Sequence, residues 1–247
     1  MTYEEKQCKW LNETKGDLHE KDLYYCEKCR NKGYIYKLNS NNEIVSVRCE
    51  CLKVRKSIKA LQDSGLQEFI ESKTFESFKV TENWQKRNKE LAQMFINQDQ
   101  VKWFFIGGQV GAGKSHLCTA MCGELLKQGK PTRYMLWSEV SKKLKANINE
   151  DTYFELLEPC QQVDVLYIDD FFKVRKGQLP TSADVNIAFD LLNSRLFSKD
   201  KITIISSEFT LNELLPVDEG VISRIVEKAG CFVINIASDT TKNYRLK

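Results

Sequence analysis

The sequence predicts an α/β fold in two parts: a five-stranded parallel sheet covered by helices, preceded by a small module with paired cysteines. Three observations lead to this prediction. Five apolar runs in residues 100–240 alternate with stretches of helical periodicity, and buried parallel strands have this near-continuous apolar character. A glycine-rich loop follows the first of these runs. Four of the nine cysteines form two close pairs within residues 26–51.

The composition is that of a globular protein with a slightly basic charge balance. Of the 247 residues, 42% are hydrophobic and 29% are charged, and the formal net charge is +3. A charge this small gives no argument for nucleic-acid binding by itself. Because no apolar run reaches about 18 residues, we expect no membrane-spanning helix and no membrane partner. The charged N-terminus lacks the apolar core of a signal peptide, so we expect a cytoplasmic protein with reduced cysteines.

Residues 1–60 are predicted to form a small metal-binding module. Two cysteine pairs, with the spacings C-x-x-C and C-x-C, stand on either side of residues 33–48. Those residues have two apolar runs around the polar turn NSNNE, which is typical of a β-hairpin. Four thiolates on two turns suit tetrahedral Zn²⁺ in a structural, zinc-ribbon-like site, although iron stays open as the metal. The predicted ligands are Cys26, Cys29, Cys49 and Cys51.

The other cysteines are expected to be small core residues, because free cysteine is usually buried and inert. Cys8 and His19 stay open as alternative metal ligands, although their spacing does not favour them. The five cysteines outside the pairs are Cys8, Cys118, Cys122, Cys160 and Cys231.

Residues 61–100 are predicted to connect this module to an α/β domain at 101–247. The connecting segment contains the motif KTFESF and a helical stretch at 82–98. Beyond it, apolar strands alternate with helical stretches that include 113–129 and 183–200. This alternation predicts a parallel sheet covered on both faces. The five strands are expected at 103–108, 131–137, 163–170, 201–208 and 231–236.

The first strand runs into GQVGAGKS, a complete match to the phosphate-loop pattern G-x-x-x-x-G-K-[ST]. The glycines allow backbone N–H groups to point at phosphates, and the following helix adds positive potential. We expect Lys114 to reach the β- and γ-phosphates of ATP and Ser115 to ligate Mg²⁺. His116 follows the motif and is expected on a helix face rather than as a metal ligand. The predicted nucleotide-binding residues are Gly108, Gln109, Val110, Gly111, Ala112, Gly113, Lys114, Ser115 and His116.

Two acids end the third strand of the predicted sheet, in the sequence VLYIDD. An acid at the end of a buried strand beside a phosphate loop completes the Mg²⁺ shell, and we assign this role to Asp169. Asp170 is then expected to polarise the attacking water. Many enzymes of this kind have Glu at this position, and Asp is one methylene shorter, so we expect slow ATP hydrolysis.

The order of several motifs resembles that of a known family. They are the cysteine pairs, KTFESF, GGQVGAGKSHL, VDVLYIDDFFK, PTSADVNIAFDLLNSRL, TIISSE, ISRI and NYRLK, which together span residues 26–247. In this order they are similar to the DnaC/DnaI-type replicative helicase loaders, in the IstB-like branch of the AAA+ ATPases. The cysteine-bearing N-terminus is most similar to loaders from Gram-positive bacteria, their phages or mobile elements.

The resemblance implies an AAA+ ATPase that loads a hexameric replicative helicase onto single-stranded DNA during replication initiation. It implies that the N-terminal module docks on the helicase, and that the AAA+ domain binds ATP and single-stranded DNA and self-associates. ATP binding is then expected to favour assembly, and hydrolysis to release the loader.

Three arginines match the family by position. Arg224, in VISRIVEKA, stands where the family keeps the arginine finger that completes the next subunit's site. Arg245, in NYRLK, matches a C-terminal arginine and is expected to sense nucleotide. Arg195 is also similar to the family, but the sequence assigns it no role.

One position departs from the family pattern. After the fourth strand the family usually has an asparagine that orients water and phosphate, and here Glu208 stands in its place. A carboxylate near a γ-phosphate disfavours hydrolysis unless it is paired or turned away. Ser206 and Ser207 are the candidate substitutes for the missing asparagine.

Several side chains are candidates for contacts with single-stranded DNA or with the base of ATP. The family has DNA-contacting helical elements after the second strand, where a lysine cluster lies in SEVSKKLKANINE, although a solvated helix face is as good an explanation. Tyr153 and Phe154 can stack on bases, but we expect them to pack in the core. Phe75 and Phe78 are expected to pack near the adenine. The lysines of the cluster are Lys142, Lys143 and Lys145.

Two other functions stay open. An IstB-like transposition ATPase shares the AAA+ core but normally lacks a cysteine module, so residues 26–51 favour the loader. A nucleotide-gated zinc-ribbon adaptor that binds DNA with little hydrolysis is favoured by Glu208. The intact Lys114, Ser115 and Asp169 count against this adaptor.

Overall fold

The computed structural model describes residues 1–22, 24–63, 70, 72–174 and 178–246, with residues 60–63 described by their backbone only. The chain divides into two units, Met1–Ser64 and Gly65–Lys247. Residues 72–100, expected to connect two domains, belong to the second unit. No helix within the described ranges is long and apolar enough to cross a membrane.

A two-stranded antiparallel hairpin is the centre of the first unit. Strands β1 (Tyr34–Leu38) and β2 (Ile44–Arg48) pair along their whole length, which confirms the hairpin predicted at 33–48. In the turn, Asn39 Oδ1 accepts hydrogen bonds from the backbone N–H groups of Asn41 and Glu43. The helices of this unit are α1 (Tyr3–Glu13), α2 (His19–Asp22) and α3 (Cys51–Asp63).

Helix α1 begins with a capping box and is joined to the hairpin by one amide side chain. The Thr2 hydroxyl accepts a hydrogen bond from the Glu5 N–H, and the Glu5 carboxylate accepts one from the Thr2 N–H. Near the other end, the Asn12 amide donates to the Tyr36 carbonyl and accepts from the Tyr36 N–H, both at 2.9 Å. Asn12 therefore satisfies both backbone groups of Tyr36 and holds the helix against β1.

The second unit contains the five-stranded parallel sheet that the sequence predicts. The strand order is β4-β5-β6-β3-β7, and every neighbouring pair is parallel. Each predicted strand is confirmed, with ends that agree within two residues. The strands are β3 (Trp103–Gly108), β4 (Thr132–Leu136), β5 (Val165–Asp169), β6 (Ile202–Ser207) and β7 (Val233–Ile236).

A helix precedes the first strand of this sheet, and helices also lie between the later strands, as parallel pairing requires. They are α4 (Asn83–Ile96), α5 (Lys114–Lys127), α6 (Trp137–Ala146), α7 (Thr152–Gln162), α8 (Ser182–Leu196), α9 (Leu211–Leu214) and α10 (Glu219–Ala229). Two 3₁₀ turns, Thr240–Lys242 and Tyr244–Leu246, follow the last strand.

Each face of the sheet packs against its own hydrophobic cluster. Along β3, Phe105 belongs to the cluster that includes residues of α6, α7, α8 and α10, whereas Phe104 and Ile106 belong to the cluster that includes residues of α4 and α5. Successive strand side chains point to opposite faces, so a strand covered on both faces must be apolar at every position. This requirement explains why the strands are uninterrupted apolar runs in the sequence.

Arg195 has a structural role that its sequence context did not reveal. The side chain is fully buried in α8. Its guanidinium donates to the Thr203 hydroxyl at 3.0 Å and to the carbonyls of Cys160, Val163 and Ile202 at 3.0, 2.8 and 2.7 Å. Arg195 thereby ties the end of α7 to the segments where β5 and β6 begin, and this burial lowers its pKa to about 10.

The prediction of buried core cysteines is correct for three of the five. Cys118, Cys122 and Cys160 are buried, Cys8 is half-buried, and Cys231 is exposed. Cys231 directly follows Gly230 at the end of α10 and precedes β7, so it lies in a surface connection rather than in an element that packs on the sheet.

Candidate functional site

The carboxyl ends of the central strands bring the predicted nucleotide-site residues together. Strand β6 lies between β3 and β5, with Gly107 opposite Ser207 and Ile168 opposite Ile205. The phosphate loop after β3 and the acids at the end of β5 therefore meet at one edge of the sheet. Ligands of open parallel sheets bind at this edge.

Gly108 and Gly113 show why the phosphate loop requires glycine. Gly108 and Gly113 have φ values of 107° and 83°, in the region that side chains with a Cβ rarely adopt. A Cβ on Gly108 would also lie 1.9 Å from the Ile236 carbonyl oxygen, and one on Gly113 would lie 2.7 Å from the Phe78 ring. The loop backbone is therefore closely surrounded, and α5 begins directly after Gly113 with its N–H groups at the loop.

Lys114 is buried and points back into the loop. Its Nζ donates to the carbonyls of Gly108 and Gln109 at 2.6 and 2.7 Å. Burial lowers the pKa of Lys114, and the nearby carboxylates of Glu208 and Asp170 oppose this effect. The ammonium is thus held within reach of any anion that the loop N–H groups bind.

Ser115 and Asp169, the two predicted Mg²⁺ ligands, are in direct contact. The Ser115 hydroxyl donates to Asp169 Oδ1 at 3.0 Å, and Tyr134 donates to Asp169 Oδ2 at 3.1 Å. The Ser206 hydroxyl also donates to the Asp169 carboxylate. An oriented carboxylate beside a hydroxyl at the start of a phosphate-loop helix fits Mg²⁺, which takes one or two protein oxygens and completes its shell with phosphate and water.

Asp170 and Glu208 are joined by a lysine that the sequence did not single out. Lys173 Nζ lies 2.8 Å from Asp170 Oδ2 and 2.9 Å from Glu208 Oε1. Glu208 is therefore paired, which is the condition under which a carboxylate is tolerated beside a γ-phosphate. The sequence analysis missed Lys173 because its ion pair with Glu208 joins residues 35 positions apart, and no local sequence pattern indicates such a pair.

Of the two serines proposed to replace the missing asparagine, only Ser206 faces the nucleotide-site carboxylate. The Ser206 hydroxyl is bonded to Asp169. The Ser207 hydroxyl donates to the Phe171 carbonyl at 2.8 Å and accepts from the Phe209 N–H. Because neighbouring side chains on a strand point to opposite faces, Ser207 is directed to the other side of the sheet.

The C-terminal 3₁₀ turns lie directly on the phosphate loop. The Tyr244 N–H donates to the Gly111 carbonyl at 2.9 Å, and the Asp239 N–H donates to the Gln109 side chain at 2.7 Å. The Tyr244 hydroxyl donates to the Lys79 carbonyl at 2.8 Å. Arg245 follows Tyr244 and is exposed. The sequence pointed to Arg245 in this segment, but Tyr244 makes the contacts with the loop.

His116 and the two phenylalanines of TFESF lie beside the start of α5. The ring of Phe78 meets the His116 ring edge to face, with centroids 5.2 Å apart. His116 Nε2 donates to the Thr74 carbonyl at 2.8 Å, and burial lowers the pKa of this histidine. Phe75 and Phe78 are both buried. His116 therefore ties the helix to the TFESF segment, as expected for a helix-face residue rather than a metal ligand.

Arg224 lies on α10 and contacts its own helix and α8. Its Nη1 donates to the Gly220 carbonyl at 2.7 Å, and its guanidinium lies 4.8 Å from the centre of the Phe189 ring. Within the described part of the chain, Arg224 makes no hydrogen bond or ion pair with the phosphate loop. The arrangement leaves Arg224 at the surface of the second unit, where an arginine that acts on another subunit has to be.

A basic groove of about 760 Å³ lies along α6. Lys142, Lys145 and Lys173 line it, together with the serines Ser138 and Ser141. A third lysine of the predicted cluster, Lys143, is instead paired with Glu139 at 2.9 Å and does not line the groove.

The two aromatic residues that follow this region differ in burial. Tyr153 is buried and donates to Asp190 at 3.0 Å. Phe154 was expected to pack in the core, but it is 69% exposed, so that expectation is wrong. The two side chains are adjacent on α7 and point in different directions around the helix axis, so that Tyr153 faces the core and Phe154 faces solvent.

Four cysteines of the first unit form a cluster with the geometry of a metal site. The Sγ atoms of Cys26, Cys29, Cys49 and Cys51 lie within 4.8 Å of one another, and all four residues are buried. Two of the Sγ–Sγ distances are 3.8 and 3.5 Å, and a tetrahedron with metal–sulfur bonds of about 2.3 Å has edges of about 3.8 Å. Among the residues that the structure describes, Cys8 and His19 are not part of this cluster.

The surroundings of the cluster favour the thiolate at Cys29, whereas burial raises the pKa of Cys49 and Cys51. Asn31, between the first cysteine pair and β1, adopts φ 65° and accepts a hydrogen bond from the Cys26 N–H at 2.8 Å. The Gly33 N–H donates to Cys29 Sγ at 3.3 Å. Burial opposes ionisation, but this hydrogen bond and those from the neighbouring thiols outweigh it and lower the pKa of Cys29 to about 7. The donor set therefore fits a thiolate-binding metal such as Zn²⁺.

A phosphate loop that opens a helix and faces a strand-end aspartate across a parallel sheet defines the class of this protein. It is a P-loop ATPase of the AAA+ type that binds ATP. The chain belongs to the family of IstB-like ATP binding proteins, whose family model matches residues 37–241.

Two relatives agree with this assignment. The phage-like element PBSX protein XkdC of Bacillus subtilis (strain 168) is 30% identical over 240 residues, which cover 91% of this chain and 87% of XkdC. The replicative helicase loader DnaC of Escherichia coli (strain K12) is 29% identical over 111 residues, 43% of this chain and 45% of DnaC. The predicted membership in the DnaC/DnaI and IstB-like group is confirmed.

Two solved structures share the fold. The crystal structure of DnaI matches with a TM-score of 0.54 and 20% identity, and the match covers 66% of this chain and 89% of that one. AMPPCP-bound DnaA from Aquifex aeolicus matches with a TM-score of 0.55 and 22% identity, over 71% of this chain. The match spans about half of that DnaA chain, 53%. At these identities the likeness shows the fold alone, and that fold is the predicted AAA+ fold.

Proposed function

We propose that this protein is an ATP-dependent loader that places a hexameric replicative helicase on single-stranded DNA during replication initiation. One observation carries the proposal: a phosphate loop whose Ser115 lies 3.0 Å from the strand-end Asp169 stands in a chain of the IstB-like family. One relative, whose match covers less than half of this chain, is a replicative helicase loader. ATP binding favours assembly in this proposal, and hydrolysis releases the loader.

The residues of the ATP site have distinct proposed roles. The N–H groups of the loop and Lys114 bind the β- and γ-phosphates, with Lys114 exchanging its two loop carbonyls for phosphate oxygens. Ser115 and Asp169 hold Mg²⁺, which neutralises phosphate charge when bound. Tyr134 fixes the orientation of Asp169, and Asp170 orients the attacking water. Because Asp170 is also held in an ion pair with Lys173, it is less available to orient the water, and slow ATP turnover is expected.

The base of ATP is proposed to lie beside Phe78 and Tyr244. Their rings are 6.3 Å apart, and Phe78 lies against Gly113 at the end of the phosphate loop. Arg245 adjoins this wall and is proposed to respond to the bound nucleotide. An aromatic wall beside the loop offers the flat apolar surface on which a purine packs.

Self-association of the AAA+ domains is proposed to complete the site with Arg224. The side chain lies at the surface on α10, and its guanidinium is presented by packing on the Phe189 ring. An arginine supplied by a neighbouring subunit stabilises the charge that develops on the γ-phosphate. Mixing Arg224→Ala chains with wild-type chains is expected to lower turnover more than in proportion to the added variant.

The first unit is proposed to dock on the helicase, with the four-cysteine centre holding Zn²⁺ as a structural metal. A unit of this size buries little apolar surface and is marginally stable from its core alone, so a metal crosslink adds a large share of its stability. It also leaves apolar side chains on its surface, among them Trp10, Tyr34, Val45 and Val47. Exposed apolar residues grouped on a short hairpin are typical of an interaction surface.

The basic groove is proposed to bind the phosphates of single-stranded DNA. Lys142 is exposed, and it has no hydrogen-bond or ion-pair partner within the part of the chain that is described. Lys142→Met is therefore expected to weaken DNA binding, whereas Lys143→Met, at a lysine already paired with Glu139, serves as the matched control.

The adaptor alternative loses its main support. It depended on the charge of Glu208 beside the γ-phosphate, and that charge is balanced by Lys173. The cysteine module continues to favour a loader over a transposition ATPase.

Complex formation with a hexameric replicative helicase tests the proposed function. The full chain and the helicase of the same host are mixed with ATP, and the assembly is measured by size-exclusion chromatography with light scattering. We expect a complex that is weakened by Val45→Ser with Val47→Ser. Val80→Ser, which changes an equally exposed valine of the second unit, is expected to leave the complex intact. Absence of any complex under all nucleotide conditions contradicts the loader.

A further inference from the structure

Lys173 belongs to two sites at once. Its ammonium is shared between Asp170 and Glu208 at the nucleotide site, at 2.8 and 2.9 Å. The same side chain lines the basic groove beside α6. The side chain is 39% exposed, so its ion pairs are in contact with solvent and are easily exchanged.

The groove carries a positive charge that is only partly balanced. Of its three lysines, Lys145 is neutralised by Asp184 at 2.7 Å, and the other oxygen of that carboxylate caps the start of α8. Lys142 contributes a cation that has no hydrogen-bond or ion-pair partner among the residues that the structure describes. Among the described residues that line the groove, Lys142 and Lys173 are therefore the two cations not neutralised by Asp184, and an extended anion can bind to both.

The groove and the catalytic turn are packed together. Trp137, the first residue of α6, contacts the rings of Phe171 and Phe172 with centroids 4.9 and 5.4 Å away, and all three side chains are buried. These phenylalanines lie between Asp170 and Lys173, and the Lys173 N–H donates to the Asp170 carbonyl at 2.9 Å. The backbone of the turn is thus fixed, and the freedom that remains belongs to the Lys173 side chain.

We propose that Lys173 is a positioning residue that couples the groove to ATP hydrolysis. With the groove free, Lys173 holds the Asp170 carboxylate. A phosphodiester strand in the groove draws the ammonium to its own phosphates, and Asp170 is released to orient the attacking water. The proposal rests on the proposed ATPase and DNA-binding function, and it adds the residue through which DNA accelerates hydrolysis.

The test is a charge-balanced variant, Lys173→Met with Glu208→Gln, which removes one cation and one anion from the cluster. We expect its kcat without DNA to rise about fivefold, which corresponds to about 1 kcal/mol, the scale of a solvent-exposed ion pair. Oligothymidylate is expected to raise the kcat of the wild type and to have no further effect on the variant. The KM for ATP is expected to change little, because the cation lost at Lys173 and the anion lost at Glu208 form an ion pair and their charges cancel at the phosphate site.

Three controls separate coupling from a structural effect. Lys173→Arg keeps a cation that pairs with carboxylates and phosphates, and it is expected to retain stimulation by oligothymidylate. Lys127→Met removes a lysine paired with Glu124 at the end of α5, and it is expected to behave as the wild type. Thermal melting of each variant verifies that the second unit is folded.

Two results would overturn the coupling. In the first, the charge-balanced variant is stimulated by oligothymidylate as strongly as the wild type. In the second, the wild type hydrolyses ATP and binds oligothymidylate, measured by fluorescence anisotropy, without any change in kcat. Both leave the loader function standing, since that function is tested by the helicase complex and not by the ATPase rate.

Discussion

Replacement of Arg195 by Met is expected to destabilise the second unit by about 4 kcal/mol. The substitution keeps most of the side-chain volume and removes the guanidinium. Three fully enclosed acceptors then lose their donor: the Cys160 carbonyl, the Ile202 carbonyl and the Thr203 hydroxyl. Each buried acceptor left unsatisfied costs roughly 1 to 1.5 kcal/mol. The sum lies in the upper range for single substitutions, and the hydrogen bonds to Gln161 and Val163 add to it.

Urea denaturation followed by tryptophan fluorescence measures this loss, since Trp103 and Trp137 are buried in the second unit. The midpoint is expected to fall with little change in the slope. Arg87→Met is the matched control, because Arg87 is exposed on α4, and its effect is expected to stay within about 0.5 kcal/mol. A loss below about 1 kcal/mol for Arg195→Met would refute the reasoning, because it would mean that water or backbone shifts satisfy the freed acceptors.

Three further substitutions test the two sites. Lys114→Met is expected to lower kcat at least about a hundredfold in a phosphate-release assay, since it removes a cation aimed at the transferred phosphoryl group; a smaller loss contradicts its role. Tyr134→Phe removes one hydrogen bond to Asp169 and is expected to lower kcat about three- to tenfold, with melting unchanged; an unaltered kcat would mean that Ser115 and Ser206 suffice to orient the carboxylate. Cys51→Ser is expected to lose bound zinc, measured by inductively coupled plasma mass spectrometry, and to unfold Met1–Ser64, because a structural zinc contributes roughly 10 kcal/mol or more. Cys231→Ser, at an exposed cysteine outside the cluster, is expected to keep one zinc per chain, and equal zinc in both variants would contradict a four-thiolate site.

The strands of the sheet could be predicted from the sequence because burial on both faces requires apolar residues along the whole strand. A strand such as Trp103–Gly108 is apolar at every position and ends at a glycine loop, so its type and its bounds are both visible. The phosphate loop and Asp169 were readable for the same reason, since each stands at the end of such a strand. The order of the strands was not readable, because it depends on which helices cover which face.

The contacts that set the charge of the site could not be predicted. The ion pair of Lys173 with Asp170 lies within one turn, but the ion pair of Lys173 with Glu208 joins two different loops, and hydrophobic periodicity carries no information on such a pair. Tyr244 was also missed. Its N–H donates to the Gly111 carbonyl, and this contact depends on the path of the chain after the last strand, which the sequence pattern does not reveal. Phe154 shows a different limit: it is exposed although its neighbour Tyr153 is buried, so an aromatic side chain next to a buried one need not itself be buried.

Transfer of a hexameric replicative helicase to a closed single-stranded DNA circle tests the central claim most directly. The helicase bound to the circle is measured after gel filtration, with the full chain and ATP present or absent. The account predicts that the helicase appears on the circle only with the chain and ATP, and that Lys114→Met abolishes the transfer. Equal loading with and without the chain, or loading that Lys114→Met leaves unchanged, would contradict an ATP-dependent loader.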